Sequence, residues 1–131
     1  MTAEGLIVTP SRFAAKETMD RLEAEVRARG MTVFARIDHA AGASEVGMPL
    51  RPTELLIFGA AKAGTPLMQA NQVIGVDLPL KALAFEDEGG RTQVTYIDPH
   101  WLAKRHGLDA AAHPVAAMAA TLEALVAEAA G

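Results

Sequence analysis

Apolar residues along this chain recur either every second position or in the three-to-four spacing of a helix, and the switches between the two mark its elements. Leu6-Ile7-Val8 predicts a short opening strand closed by Pro10. Ser11 can cap a helix in which Ala15, Met19, Leu22 and Val26 form the apolar stripe. Gly30 is a natural stop after Arg29, and Phe13, off the stripe, is expected to pack at the start of that helix. In TVFARID (32–38), Val33, Ala35 and Ile37 share one face, the alternation of a half-buried strand.

The small residues of AAGASEVG (40–47) predict one or two helical turns. Leu55 to Phe58 then show no alternation, which fits a central strand covered on both faces or by a partner. A helix is predicted from Pro66 to about Asn71, with Gly64 making the turn and Thr65 capping it. Lys81, Leu83 and Phe85 lie in a further extended run, DEGGR (87–91) is a turn by composition, and TQVTYID alternates again. Together these predict an antiparallel hairpin. Asp98-Pro99 reads as a cap with proline at the first helical position, and Gly107 ends that helix. Val115, Met118, Leu122, Leu125 and Ala129 line one stripe of a closing helix. The expected architecture is α+β in two layers: a mainly antiparallel sheet, helices packed on one face, and one compact domain over residues 1–131.

Composition narrows the function. A net charge of −4, with the basic groups Arg27, Arg29 and Lys104-Arg105-His106 at expected helix ends, argues against nucleic acid and suits helix dipoles instead. The chain has no cysteine, which removes disulfides, thiolate chemistry and cysteine-based metal sites. No window approaches the ~18 apolar residues of a membrane span, and MTAEGLIVTP lacks the basic start of a secretory signal. The expected setting is the bacterial cytoplasm, without a membrane partner.

Candidate chemistry concentrates at Gly59 to Pro66. Free N–H groups at a helix start bind anions, Gly64 permits close approach, Thr65 offers a hydroxyl and Lys62 a positive charge. The order of residues fails the phosphate-loop pattern, because Lys62 precedes Gly64 and Thr65 follows it directly. Capping alone accounts for every residue there except Lys62 and Gly59.

His39 follows Asp38 at a strand end and is the candidate general base, although neighbours on a strand point to opposite faces. Asp77, flanked by apolar residues, needs a partner if buried, with Lys81, Lys62 and His39 as candidates. His100 and His106 lie nearly on opposite helix faces, and His39 and His113 are scattered, so spacing reveals no metal site and no cofactor. With serine only at positions 11 and 44, and Ser44 outside a nucleophile-elbow spacing, serine-hydrolase chemistry is disfavoured.

The string RPTELLIFGAAKAGTPLMQAN, followed by GVDLPLKALAFEDEGG and TYIDPHWLAKRHGL, resembles the bacterial domain of unknown function 302 family. ARIDHAAGASEVGMPL is similar to the family's stretch before the central strand. The resemblance implies a compact α+β domain and homodimers, and no established activity, cofactor or substrate. The family's motif after the central strand resembles F-G-N-P-K. Here Ala60 and Ala61 replace its Asn and Pro, while Gly59, Lys62, Gly64 and Thr65 remain.

Three functions are expected, in order of preference. The first is a homodimeric module binding a small anionic metabolite through Lys62, Gly64 and Thr65, with His39 and Asp77 nearby. The second is a structural or regulatory dimer using the apolar segments around Leu67, Met68 and Ile74. The third is an enzyme with His39 as general base, Asp77 beside it, and Lys62 or Thr65 stabilising developing negative charge.

Overall fold

The apolar run at 55–58 is divided between two faces of one sheet. In the computed structural model, which describes residues 3–131, Leu56 and Phe58 are wholly buried under helices. Leu55 and Ile57 point the other way and are half-buried. The strands are β1 (Leu6–Ser11), β2 (Thr32–Asp38), β3 (Thr53–Gly59), β4 (Leu80–Glu86) and β5 (Thr92–Ile97). They pair in the order β1-β5-β4-β3-β2, and every pairing is antiparallel. The run is therefore an interior strand beside edge strand β2, with β4 at the centre.

The helices are α1 (Ala15–Ala28), α2 (His39–Glu45), α3 (Ala61–Ala70), α4 (Pro99–Arg105) and α5 (Val115–Ala130). A short 3₁₀ helix, Gln72–Asp77, follows α3. The predicted stripes of α1 and α5 form the core: Met19, Leu22 and Val26 meet Leu122, Leu125 and Ala129 over Leu56, Phe58, Ala84 and Val94. Burying each large aliphatic or aromatic side chain there stabilises the fold by about 1.5–3 kcal/mol. Small residues at Ala82 and Ala84 let the helices approach β4 closely.

Local chemistry fixes the boundaries. Thr18 bonds Ala14 O at 2.9 Å and Ser11 Oγ at 2.7 Å, so Ser11 organises the first turn of α1 without being its N-cap, which is Ala14. Phe13 packs there as expected, with the Arg21 guanidinium 4.1 Å from its ring centre. Arg21 also donates to the carbonyls of Glu128 and Ala129, satisfying the end of α5. The β4–β5 turn is held by Asp87, whose carboxylate accepts the N–H groups of Gly89 and Arg91. Those bonds, with the amide of Gln93, hold the Asp87 carboxyl below its ordinary pKa. Asp98 caps α4 through the N–H of His100, with Pro99 next, as the sequence predicts.

On the helix-covered side, Arg36 of β2 reaches Glu54 at 2.9 Å and Asp20 of α1 at 2.7 Å. Burial works against this guanidinium, but the carboxylates of Glu54 and Asp20 outweigh it and raise its pKa. Helix and sheet edge are thereby tied by charge.

The opposite face of the sheet carries neither α1 nor α5. Leu55 lies between Ile37 and Leu83, and Ile57 between Ala35 and Lys81. Thr95 lies between Leu83 and Val8, and Leu6 opposes Ile97. Leu6, Val8 and Ile37 are 36–42% exposed. This face is largely apolar, with Thr53, Gln93 and Thr95 as its polar residues on the three inner strands and a single formal charge there, Lys81, which is folded back onto the carbonyls of Asp77 and Pro79.

Candidate functional site

Gly59 ends β3, and the chain turns into α3 through Ala60, whose backbone is extended (φ −135°, ψ 131°). The Ala60 carbonyl accepts the N–H groups of Ala63 at 3.0 Å and Gly64 at 3.1 Å, closing the first helical turn. The helix therefore begins at Ala61, not Pro66, and Gly64, Thr65 and Pro66 lie inside it. Thr65 is not a cap, and no described side chain caps this N-terminus. Thr-Pro is a stronger local start signal than Ala-Ala, which is why the sequence points to the later residue. The family motif held the better signal. Ala60 and Ala61, where that motif has Asn and Pro, occupy the N-cap and first helical positions, the places where Asn and Pro favour a helix start.

A cavity of about 790 Å³ opens against this helix. Its wall comes from the end of β3 and the first turns of α3, from Gly75 and the Leu78–Leu80 segment, from Arg29 to Phe34, and from the start of α5. The lining is almost wholly apolar, with three methionine side chains, Met31, Met68 and Met118. Among the described residues, Arg29 supplies the one charged side chain, Thr65 and Thr121 the hydroxyls, and no carboxylate takes part. The volume falls within the usual range for small-molecule sites.

The glycines of the wall are not required by backbone conformation. Gly5, Gly30, Gly47, Gly90, Gly107 and Gly131 adopt positive φ, where a side chain would be strained. Gly59, Gly64 and Gly75 do not, and all three line the cavity. A Cβ on Gly64 would meet only Leu78 and Met68, each at 3.8 Å, and one on Gly59 nothing closer than 3.7 Å. Gly75 is tighter, with the Met68 sulfur 3.2 Å away. Packing alone does not require glycine at 59 or 64. Inside α3, glycine costs about 1 kcal/mol relative to alanine.

Of the residues proposed from sequence, Gly64 and Thr65 line this cavity, and Lys62, His39 and Asp77 do not. Lys62 is exposed on α3. His39 is the exposed first residue of α2, whose N-cap is Asp38, bonding the N–H of Ala41 at 2.9 Å. That helix lies by the Thr53–Glu54 end of β3, whereas α3 follows the Gly59 end, roughly 17 Å further along the strand. His39, Asp77 and Thr65 thus do not face one pocket.

Asp77 has a partner that spacing could not reveal. Its Oδ2 lies 2.5 Å from Nε2 of His106, 29 residues away, and 3.6 Å from the Arg105 guanidinium. None of the three predicted partners pairs with the carboxylate. Lys81 comes nearest, but its ammonium bonds backbone carbonyls, including that of Asp77 itself at 3.3 Å. Asn71 donates to the His106 carbonyl at 2.9 Å, so the 3₁₀ segment is clamped to the end of α4. In the apolar segments expected at an interface, Leu67 and Ile74 are buried in the core and Met68 lines the cavity, while Val73 and Val76 beside Ile74 are exposed.

Comparison with known proteins places this geometry in a family. The crystal structure of the uncharacterized conserved protein DUF302 from Bacillus stearothermophilus superposes with a TM-score of 0.77, covering 98% of this chain and 97% of that one. At 21% identity it shows a common fold. Two sequence relatives are named fluoride-specific ion channel FluC 1, from Brucella suis and Brucella abortus. Each is 51% identical over 104 residues, which is 79% of this chain but only 41% and 38% of those proteins. The chain thus spans about two fifths of the relatives it matches, and no described helix is long and apolar enough to cross a membrane. The family model described as domain of unknown function DUF302 matches residues 7–129, and the chain belongs to that family.

Proposed function

We propose that this domain is a small-molecule-binding module whose ligand occupies the cavity beside α3. The observation that carries this is the pair Gly59 and Gly64: glycines without positive φ, with room for a side chain, facing the same apolar space. The binding stretch predicted from sequence is kept at Gly64 and Thr65, but it acts as a helix wall, and Lys62 has no part in it. A bare anion is a poor fit, because an apolar lining does not repay its lost hydration. For the same reason fluoride, named for the Brucella relatives, is not the ligand of this cavity. A screen of small molecules by thermal shift, run in parallel on Gly64→Leu, tests the proposal. Ligands that stabilise the parent chain and lose their effect in the variant support it. Stabilisation that survives the filled cavity sinks it.

The same domain is proposed to act as a homodimer, with the open sheet face as the contact. A wide apolar face with almost no charge is complementary to itself, as a two-fold interface must be. Val46, Met48 and Leu50, all exposed in the loop after α2, extend the apolar surface near the β2 edge. Sedimentation of the parent chain against Leu55→Glu at micromolar concentration decides this. A dimer that the substitution dissociates is expected, and a monomeric parent would rule it out.

A further inference from the structure

We propose that the ligand class of the cavity is an amphipathic monocarboxylate: a flexible apolar body with one anionic end held at Arg29. Resting on the cavity reading above, this adds the polarity of the ligand and its orientation. Three observations point the same way. The wall bears one cation and no carboxylate among the described residues, so it selects by sign against ammonium-bearing and zwitterionic molecules. Arg29, exposed at the end of α1, makes no ion pair with any described residue, so its guanidinium is available to a ligand. Arg27 is engaged by Glu23, and Arg36 by Asp20, Glu23 and Glu54.

The interior is the third observation. Met31, Met68 and Met118 face the same space, and unbranched thioethers adapt to a ligand of variable shape. Rigid aromatic stacking is not provided, since among the described residues Phe34 is the one aromatic side chain of the wall and lies at its exposed rim. The guanidinium fork matches a carboxylate in geometry. The apolar body lies along Gly64 and Met68, where the missing side chains at 59 and 64 leave room for it.

Isothermal titration calorimetry with decanoate, decanol and decyltrimethylammonium, each below its micellar concentration, tests the proposal. Decanoate is expected to bind the parent chain about fivefold more tightly than decanol, the size of a rim ion pair, with the ammonium weakest. Arg29→Gln should bring decanoate and decanol together, and Gly64→Leu should abolish both. Equal binding of decanoate and decanol to the parent would overturn the carboxylate class while leaving an apolar-ligand cavity intact. Decanoate binding that persists in Gly64→Leu would move the site elsewhere and overturn the proposal. No binding of any of the three would overturn the cavity reading with it.

Discussion

His106 Nε2 meets Asp77 Oδ2 at 2.5 Å, joining the end of α4 to the 3₁₀ segment that continues into the cavity wall. The histidine side chain is 8% exposed and the carboxylate 17%, so water cannot easily replace either partner. Asp77→Ala is expected to destabilise the fold by about 1–3 kcal/mol, the usual cost of leaving a buried hydrogen-bonding group without its partner. His106→Ala should cost a similar amount, and the double variant less than the sum. Urea denaturation of the four proteins measures this. Additive losses would mean that the two side chains do not act as a pair.

The uncapped start of α3 predicts a gain. Ala60 already has the extended backbone of an N-cap, yet its methyl group satisfies none of the free N–H groups. Ala60→Asn is expected to stabilise the domain by about 1 kcal/mol. The midpoint of chemical denaturation should rise with an unchanged slope. A fall would show that the residue at 60 meets a constraint other than capping.

Gly64→Ala is expected to raise stability by about 0.5–1 kcal/mol, because it removes backbone entropy from the unfolded chain and its Cβ meets ordinary contacts. Gly5→Ala should do the reverse. Gly5 has φ +82°, and a Cβ there would overlap the Trp101 ring, so a loss of about 2–4 kcal/mol is expected. Thermal unfolding of the two variants side by side separates a glycine that the fold requires from one that it does not.

Lys62→Ala is expected to leave stability within about 0.5 kcal/mol and to leave ligand affinity in the cavity unchanged, since the side chain is exposed and outside the lining. A clear loss of affinity by calorimetry would return the site to the loop that the sequence first suggested.

Acid should weaken the tie between α1 and β2. Hydrogen bonds from Arg36 and then Lys16 hold the Asp20 carboxyl below its ordinary value of 3.8. A carboxylate depressed in the folded state contributes stability above its unfolded pKa and loses it as pH falls through the folded one. The contribution is therefore complete above about pH 4 and fades below it. Asp20 is largely solvated, so the effect is small. Melting temperature recorded from pH 6 to pH 2 should fall less steeply in Asp20→Asn than in the parent. Identical slopes would show that Asp20 does not respond to the pairing.

The sequence by itself determined the elements whose signals are local. The stripe of α1, the cap at Asp98, the turn at Asp87 to Arg91 and the stop at Gly107 each depend on residues within one or two turns of each other. It also determined the antiparallel α+β class, because hairpin spacing and amphipathic stripes leave few other ways to bury those faces. Where local signals competed, as at Ala60 and Thr65, the sequence pointed to the wrong start, since a strand ending at Gly59 leaves only Ala60 before α3.

Only the tertiary structure decided the rest. Asp77 finds His106 because α4 docks beside the 3₁₀ segment, a meeting that no spacing encodes. The cavity is assembled from separate segments, so Met31, Gly64 and Met118 become neighbours of one space only after α3 and α5 have packed. Leu55 and Leu56 look alike in sequence, yet Leu56 lies under the helices and Leu55 on the open face. Pleating separates them, and which face the helices cover is settled by the contacts of the whole domain.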